Sequence, residues 1–142
     1  KATERIFLPL LKMMNPEIID INFPLEGVFH SCVIISIDKK YPGQAREIMK
    51  SVWEMEESIY TKIVIVVDKE VNPKNLSIVA WKVFNNIDAK RDFLIYDDNR
   101  LGIDATRKLP SEGHSREWPK DIEMSEEMKE HVDRRWQEYG IK

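Results

Sequence analysis

The chain is poor in several residue types that mark particular classes of protein. Its 142 residues contain one cysteine, Cys32, which sits inside an apolar run and has no partner for a disulfide within the chain. We therefore expect a reduced, cytoplasmic setting. The formal net charge is −3, so there is no overall positive field that could hold nucleic acid. No apolar run approaches the length that spans a bilayer.

The common signatures of a complete catalytic or nucleotide-binding site are also missing. The sequence has no GxGxxG after its first buried strand and no GxxxxGK followed by Ser or Thr, so neither familiar phosphate-binding loop is present. It has no GxSxG, HExxH or CxxC motif either. The sequence therefore predicts no catalytic residue and no metal-binding residue that this chain could use on its own.

What the chain does contain is strong hydrophobic periodicity. Continuous apolar runs predict buried strands in VFHSCVIISID, KIVIVVD and DFLIYDD, and EIIDINFP predicts an edge strand that ends at Pro24. Apolar residues spaced by three and one predict helices after YPG and after Asn72, which would cap the second of them. Ser125 would cap a closing helix with an apolar side made of Met128, Val132, Trp136 and Tyr139.

The beginning of the chain is less regular. Thr3 could cap a first helix in TERIFLPLLKMMNPE, but Pro9 removes a backbone donor, so we expect this helix to kink or to start only there. The chain begins with Lys1 rather than Met, and we expect it to be cut from a longer protein. The order β-β-α-β-α-β-loop-α predicts a single α/β domain over residues 1–142, in three layers, with a mostly parallel buried sheet covered by helices.

Isolated polar residues could contribute to a site, although each has an ordinary structural interpretation. His30, with Glu26 as its carboxylate partner, could act as an acid, base or ligand, but a histidine hydrogen-bonded at the edge of a strand is favoured. His131 lies one helical turn from Glu127, yet two ligands do not make a metal site, and a solvated helix face is favoured.

Aspartates follow two of the predicted strands. Asp68 and the pair Asp97–Asp98 would lie at the carboxyl ends of strands, where ligands bind in open α/β sheets. Aspartate also ends strands because it favours turns. Both interpretations stay open at this point.

The stretch LGIDATRKLPSEGHSREWP, residues 101–119, is long and has neither a strand period nor a helical one. Many of its residues are charged, which would suit a solvated, mobile loop. However, Ile103, Leu109 and Trp118 are apolar residues that a disordered segment would not need. We therefore predict an ordered packing strap or interface element before the C-terminal helix.

Several strings along the chain resemble one family. EGVFHS with YPGQA, then IYTKIVIVVDKEVNPKNL, DAKRDFLIYDD, LGIDATRKLP and REWP are similar, in this order, to the C-terminal domain of the UbiD-type carboxy-lyases. These include the 3-polyprenyl-4-hydroxybenzoate decarboxylases of ubiquinone biosynthesis. The resemblance runs from Phe7 to Tyr139. The chain departs from it at residues 85–89, NNIDA, where members often show TRxDP, and at Leu101, which replaces a common methionine.

The resemblance implies an enzyme that uses prenylated flavin mononucleotide and a divalent metal to add or remove a carboxylate on aromatic or unsaturated acids. In the family, the flavin site and a catalytic Glu–Arg–Glu network belong to a preceding domain that this chain lacks, so we expect neither group to bind this fragment. Lys62, in YTK, corresponds to a family lysine near the cofactor phosphate. The resemblance also carries over two loop or interface elements: GIDAT (Gly102, Ile103, Asp104, Ala105, Thr106) and REW (Arg116, Glu117, Trp118).

The leading hypothesis is therefore the C-terminal domain of a UbiD-like non-oxidative decarboxylase, serving as cleft wall, lid and oligomerisation domain. Ubiquinone precursors, menaquinone precursors and simpler aromatic acids all stay open as substrates, and a polyprenyl substrate would suit peripheral membrane association. The expected partners are the preceding flavin domain and further copies of the chain. The fragment alone is predicted to be inactive. The alternative is a free-standing, non-catalytic α/β interaction module, and a third hypothesis is a small-ligand domain that uses the edge at Asp68 and Asp97.

Overall fold

The structure is a computed structural model, and it describes residues 2–56, 60–114, 116–119, 122 and 124–140. The α-helices there are α1 (Ala2–Met14), α2 (Gln44–Trp53), α3 (Leu76–Asn86), α4 (Ala89–Asp92) and α5 (Glu126–Arg134). The strands are β1 (Ile18–Asn22), β2 (Cys32–Ile37), β3 (Ile63–Asp68), β4 (Phe93–Tyr96) and β5 (Arg100–Asp104). Single 3-10 turns lie at Leu25–Gly27, Pro110–Glu112 and Trp136–Tyr139. A helix long and apolar enough to cross a bilayer does not occur in these ranges.

The five strands form one mixed sheet in the order β1-β2-β3-β5-β4. The central strands β2, β3 and β5 run parallel, whereas β1 and β4 pair antiparallel at the two edges. The continuous β-branched runs form the buried centre, because strands covered on both faces need apolar side chains on both. The predicted α/β class with a mostly parallel centre is confirmed.

The core is divided between the two faces of the sheet, because successive side chains of a strand point to opposite faces. The face that carries Val33 and Ile35 packs against α1 and α2, whose buried side chains there are Leu11, Ala45, Ile48, Met49, Val52 and Trp53. The other face carries Ile34 and Val67 and packs against α3 through Val79. The domain therefore has three layers, as predicted.

Two helices differ from the sequence prediction. Helix α1 continues through Pro9 and does not start there. Pro9 is exposed, so the carbonyl one turn earlier that lacks its N–H partner can accept a hydrogen bond from water instead. The cap of α3 is Asn75, whose side chain accepts from the N–H of Ile78 at 3.2 Å. Asn72 accepts instead from the N–H of Lys74 at 2.9 Å and closes the turn before the helix.

Two strands also differ. Strand β2 begins at Cys32 rather than Val28, because Val28 and Phe29 adopt left-handed φ values of 50° and 64° that no strand allows. Strand β5 lies within the region that was predicted to have no regular structure. Ser125 caps α5 as predicted, accepting from the N–H of Met128 at 3.2 Å.

Candidate functional site

After β5 the chain crosses the carboxyl ends of the parallel strands, and we call residues 105–112 the strap. The N–H of Ala105 donates to the carbonyl of Val66 at 2.9 Å, and the N–H of Arg107 donates to the carboxylate of Asp68 at 2.9 Å. The strap therefore lies over the end of β3. It closes with a turn in which the Glu112 carboxylate accepts from the N–H of Leu109 at 2.8 Å. This part of the chain is an ordered packing element, as the sequence predicted.

Lys39, the second residue after β2, holds the strap in place through three hydrogen bonds. Its ammonium group donates to the Thr106 hydroxyl at 3.1 Å, to the Arg107 carbonyl at 3.1 Å and to the Glu112 carboxylate at 2.7 Å. Only 5% of the Lys39 side chain is exposed. Because a charge this deeply buried is tolerated only when it is paired, the pairs fix the position of the strap.

Lys108, within the strap, forms a second set of buried contacts. Its Nζ lies 2.9 Å from Asp104 Oδ1 and 3.3 Å from Asp92 Oδ1, and its side chain is 1% exposed. It also donates to the Asp104 carbonyl at 2.8 Å. The lysine therefore joins the strap to the end of β5 and to α4.

The pKa values of two carboxyl groups at this end of the sheet are shifted in opposite directions. Burial raises the pKa of Asp68, and the hydrogen bond from the Arg107 N–H only partly opposes that shift. Burial also acts on Glu112, but the hydrogen bonds from Lys39, Leu109 and Gly43 together outweigh it, so the pKa of Glu112 lies below its ordinary value. Asp68 binds a backbone N–H of the strap, and Glu112 of the strap binds donors outside it, so both carboxylates hold the strap against the rest of the domain.

Asp97 and Asp98 do not join Asp68. Strand β4 runs antiparallel to β5, so its carboxyl end lies at the opposite edge of the sheet from the carboxyl end of β3. The two aspartates form the turn between β4 and β5, with φ values of 47° and 59°. The hypothesis of a ligand-binding edge shared by Asp68 and Asp97 is therefore wrong.

The GIDAT residues have packing functions that the structure makes specific. A Cβ on Gly102 would lie 2.5 Å from the Met49 sulfur, so the close approach of α2 to β5 needs a residue without a side chain. Asp104 accepts from both the N–H and the hydroxyl of Thr106, at 3.0 and 2.5 Å. Ala105 and Thr106 are fully buried, and Ile103 is half-buried on the α3 face of the sheet.

The REW residues lie beside α3. The Trp118 ring is centred 4.8 Å from the His114 ring. Trp118 and His114 share a cavity of about 550 Å³ with Trp81 and Lys82 of α3. Arg116 and Glu117 are exposed. This element therefore packs near the outer surface of α3 rather than at either end of the sheet.

A recess opens at the other edge of the sheet, where β2 and β3 begin, and we call it the aromatic recess. It has a volume of about 520 Å³ and is lined by Thr3, Phe7, Phe23, Phe29, His30, Tyr60 and Thr61. Phe7 and Phe23 meet edge to face with ring centroids 5.7 Å apart, and His30 and Tyr60 meet in the same way at 5.7 Å. The recess offers apolar ring faces together with an imidazole and hydroxyl groups.

A strained turn forms one side of the aromatic recess. Val28 and Phe29 both have positive φ, a conformation that is rare for a β-branched residue and costs about 1–3 kcal/mol. Their side chains are 62% and 61% exposed. The turn is held by hydrogen bonds from the Val28 N–H to Leu25 at 3.0 Å and from the Ser31 N–H to Gly27 at 2.8 Å. Strain that presents apolar side chains to solvent is typical of a functional site.

Of the two histidines that the sequence singled out, His131 lies on a solvated helix face, as expected, and His30 lies elsewhere than expected. His30 lies in this turn, against Tyr60, and not at the edge of a strand. His131 Nε2 lies 3.5 Å from Arg135 Nη1 on the exposed face of α5. Within the described ranges, no three His, Cys, Asp or Glu side chains come together in a way that could hold a metal.

Lys62 lies at the same edge as the aromatic recess, exposed at the start of β3. A cofactor phosphate is normally held by several donors. Lys62 could supply one ammonium group to such a site from the surface of this chain, which fits a phosphate held mainly by another domain. A cofactor role for Lys62 stays a prediction.

Comparison with protein families identifies the family of this chain. Residues 1–114 match the family model described as the 3-octaprenyl-4-hydroxybenzoate carboxy-lyase C-terminal domain. The chain belongs to this family. A protein of Archaeoglobus fulgidus is 47% identical over 154 residues, covering 97% of this chain and 32% of the relative. A protein of Aquifex aeolicus is 39% identical over 155 residues, covering 99% and 32%. The chain therefore spans about a third of these relatives.

Solved structures of UbiD-class enzymes share the fold. An evolved dimeric form of HmfF from Pelotomaculum thermopropionicum, in complex with prFMN, has a TM-score of 0.75 and 26% identity, covering 90% of this chain and 28% of that one. Vanillic acid decarboxylase of Sedimentibacter hydroxybenzoicus, in its closed form, has a TM-score of 0.76 and 26% identity, covering 89% and 30%. These two solved structures are thus a UbiD-class enzyme and a decarboxylase.

Proposed function

We propose that this chain is the C-terminal domain of a non-oxidative decarboxylase and that its aromatic recess forms one wall of the active-site cleft. The observation that carries the proposal is the recess itself, with the strained Val28–Phe29 turn at its side. Aromatic rings pack favourably against one another and exclude water. The substrate is an aromatic or polyprenylated 4-hydroxybenzoate-type acid, and the quinone pathways use such acids. The family description and the name vanillic acid decarboxylase both support this class.

The chemistry is shared with the part of the protein outside this chain. We place prenylated flavin, a divalent metal and the Glu–Arg–Glu network there, since the chain spans about a third of its relatives. When bound, prenylated flavin supplies the electron sink for loss of carbon dioxide. In this chain, Phe23 and Phe29 orient the substrate ring and exclude water, and His30 and Tyr60 offer hydrogen bonds to its polar substituents. Lys62 would supply one donor to the cofactor phosphate.

We also propose that the domain moves as a lid and associates with further copies of the chain. Vanillic acid decarboxylase of S. hydroxybenzoicus has been solved in open and closed forms, which supports a lid function for the equivalent domain here. Association is supported by α5 and the turn after it, which leave Met128, Trp136 and Tyr139 exposed. The protein would work in the cytoplasm, with peripheral contact to the membrane where its substrate carries a polyprenyl chain.

The proposal can be tested in the full-length protein with Phe29→Ala. We expect kcat/KM for release of carbon dioxide from a 4-hydroxybenzoate-type acid to fall by at least about tenfold, because a misplaced substrate ring loses its orientation. Phe84→Ala is the matched control, since Phe84 is 79% exposed on α3 and far along the chain from the recess. Equal activity of the Phe29→Ala variant and the wild type would contradict the placement of the recess in the cleft.

A further inference from the structure

Trp53, the last residue of α2, is fixed in the core by contacts with two strands, and only 4% of it is exposed. Its ring stacks on Tyr96 of β4, with centroids 5.1 Å apart and planes inclined by 19°. Gly102 of β5 lets the indole approach closely, since a Cβ there would lie 3.3 Å from Trp53 Cη2. The carbonyl of Trp53 also accepts from Arg100 Nη1 at 3.2 Å. Both the ring and the backbone of this residue are therefore held in place.

The indole of Trp53 reaches from this position to the start of β3. Its Nε1–H donates to the carbonyl of Thr61 at 3.0 Å, in a buried hydrogen bond. The same peptide group donates on its other side, from the N–H of Lys62 to the carbonyl of Ser31 at 2.9 Å. Because a peptide group is planar, a donor at one end and an acceptor at the other fix its orientation. One peptide group therefore connects α2 with the segment that follows the strained turn.

This peptide group lies next to the two polar side chains of the aromatic recess. Tyr60 directly precedes Thr61, and His30 directly precedes Ser31. The rings of His30 and Tyr60 meet edge to face with centroids 5.7 Å apart. Tyr60 is 69% exposed, so burial does not hold its ring in place. The orientation of the backbone at Thr61 therefore decides where the Tyr60 hydroxyl lies.

We propose that Trp53 is a positioning residue, whose indole N–H acts through the Thr61 carbonyl to place the Tyr60 hydroxyl against the ring hydroxyl of a bound aromatic acid. The proposal rests on the proposed function, because that function places the acid in the aromatic recess. The alternative is a purely structural bond, since a buried indole N–H usually has an acceptor. Selectivity distinguishes the two. A site that hydrogen-bonds a ligand hydroxyl discriminates against the ligand that lacks it, whereas a structural bond affects both ligands alike.

Trp53→Phe tests the proposal in the full-length protein, because it keeps an aromatic ring and removes the N–H. Titration calorimetry gives Kd for 4-hydroxybenzoate and for benzoate, which lacks the ring hydroxyl. We expect the wild type to bind 4-hydroxybenzoate at least about fivefold more tightly than benzoate. Trp53→Phe and Tyr60→Phe should each reduce that preference to less than about twofold. The double variant should lose no more than either single variant, since both changes remove one interaction.

Trp81→Phe is the matched control, since Trp81 is 52% exposed on α3 and does not line the aromatic recess. We expect it to leave both Kd values unchanged. Far-UV circular dichroism shows whether each variant folds. If Trp53→Phe does not fold, Arg100→Gln takes its place, because it removes the donor to the Trp53 carbonyl, and it should lower the preference at least about twofold.

Three results would overturn the proposal. One is a Trp53→Phe variant that weakens the binding of both acids equally, which is the pattern of a bond that only stabilises the domain. Another is an unchanged preference in Tyr60→Phe, and the third is a wild type that shows no preference for the hydroxyl. Calorimetry needs no turnover. A wild type that shows the preference but releases no carbon dioxide would therefore overturn only the proposed decarboxylase function.

Discussion

Lys108 shows how much of this domain depends on single buried charges. Its ammonium group is shared between Asp92 and Asp104, and all three side chains are at least nine-tenths buried. Replacing the lysine by methionine keeps the volume similar but removes one of two cations from each buried carboxylate. Asp92 then keeps only Arg91, and Asp104 keeps only Lys39, at 3.9 Å. We expect Lys108→Met to lower the free energy of unfolding by about 3–5 kcal/mol, measured by urea denaturation.

Lys129 offers the control for that measurement. It pairs with Glu126 at 2.6 Å, but its side chain is 52% exposed and that of Glu126 is 83% exposed. Lys129→Met should therefore change the free energy of unfolding by no more than about 0.5 kcal/mol. Similar losses in the two variants would mean that burial of Lys108 contributes nothing to the stability of the strap.

Glu112 predicts a dependence of stability on pH. Its pKa is below the ordinary value of 4.5, because the hydrogen bonds from Lys39, Leu109 and Gly43 outweigh its burial. A carboxyl whose pKa is depressed by folding stabilises the fold fully above its unfolded pKa and loses that contribution as the pH falls through the folded pKa. We expect Glu112→Gln to cost about 1–3 kcal/mol near neutral pH.

The sign can be checked by urea unfolding between neutral pH and pH values below 4.5. The difference between wild type and Glu112→Gln should shrink as the solution becomes more acidic. Glu54→Gln makes the same change of charge at an exposed position and should show no such convergence. If the difference in free energy of unfolding stays constant with pH, the negative charge of Glu112 does not contribute to stability.

At the scale of the elements, the sequence predicts strands and helices wherever their own side chains carry the period. Strands β2 and β3 and helices α2 and α3 are of this kind, because their apolar residues pack into the core. Strand β5 has no such period in its own side chains. Gly102, in its centre, has no side chain, and the space on that face is filled by Met49 and Trp53 from α2. The apolar side chains that cover β5 on this face therefore belong to α2, and the sequence of β5 itself shows no strand period.

Helix α5 leads to a prediction about association. It is amphipathic, yet none of its residues is buried, and Met128 is 49% exposed. If the apolar side of α5 meets a second copy, Met128→Glu should weaken self-association by at least about tenfold, because it buries a charge in the interface. Sedimentation equilibrium of the full-length protein measures this.

Gln137→Glu is the matched control, since it adds the same charge at an exposed position in the turn that follows α5. We expect it to leave the association constant unchanged. A wild-type protein that stays monomeric at every concentration would refute a role for α5 in association.

At the scale of the whole molecule, the strap and the aromatic recess lie at opposite ends of the parallel strands. The strap lies over the carboxyl ends of the parallel strands, where its charged residues Lys108 and Glu112 pair with Asp104 and Lys39. The aromatic recess lies where β2 and β3 begin, and β1 reaches it because β1 runs antiparallel to β2. Sequence spacing could not predict the recess, since Phe7, Phe23, Phe29 and Tyr60 meet only through this topology. The family motifs marked the strap more clearly than the recess.

The last prediction concerns what this domain does without the rest of the protein. Its contribution at the recess edge is a set of rings, hydroxyl groups and one exposed lysine, Lys62. These groups can orient a substrate but cannot hold a flavin phosphate with several donors. We therefore expect residues 1–142 alone to release no carbon dioxide from a 4-hydroxybenzoate-type acid and to lose added flavin on gel filtration. The full-length protein, prepared in the same way, should retain flavin and turn over. Turnover by the 142-residue chain alone would place a catalytic group inside this domain and reject the division of labour proposed for it.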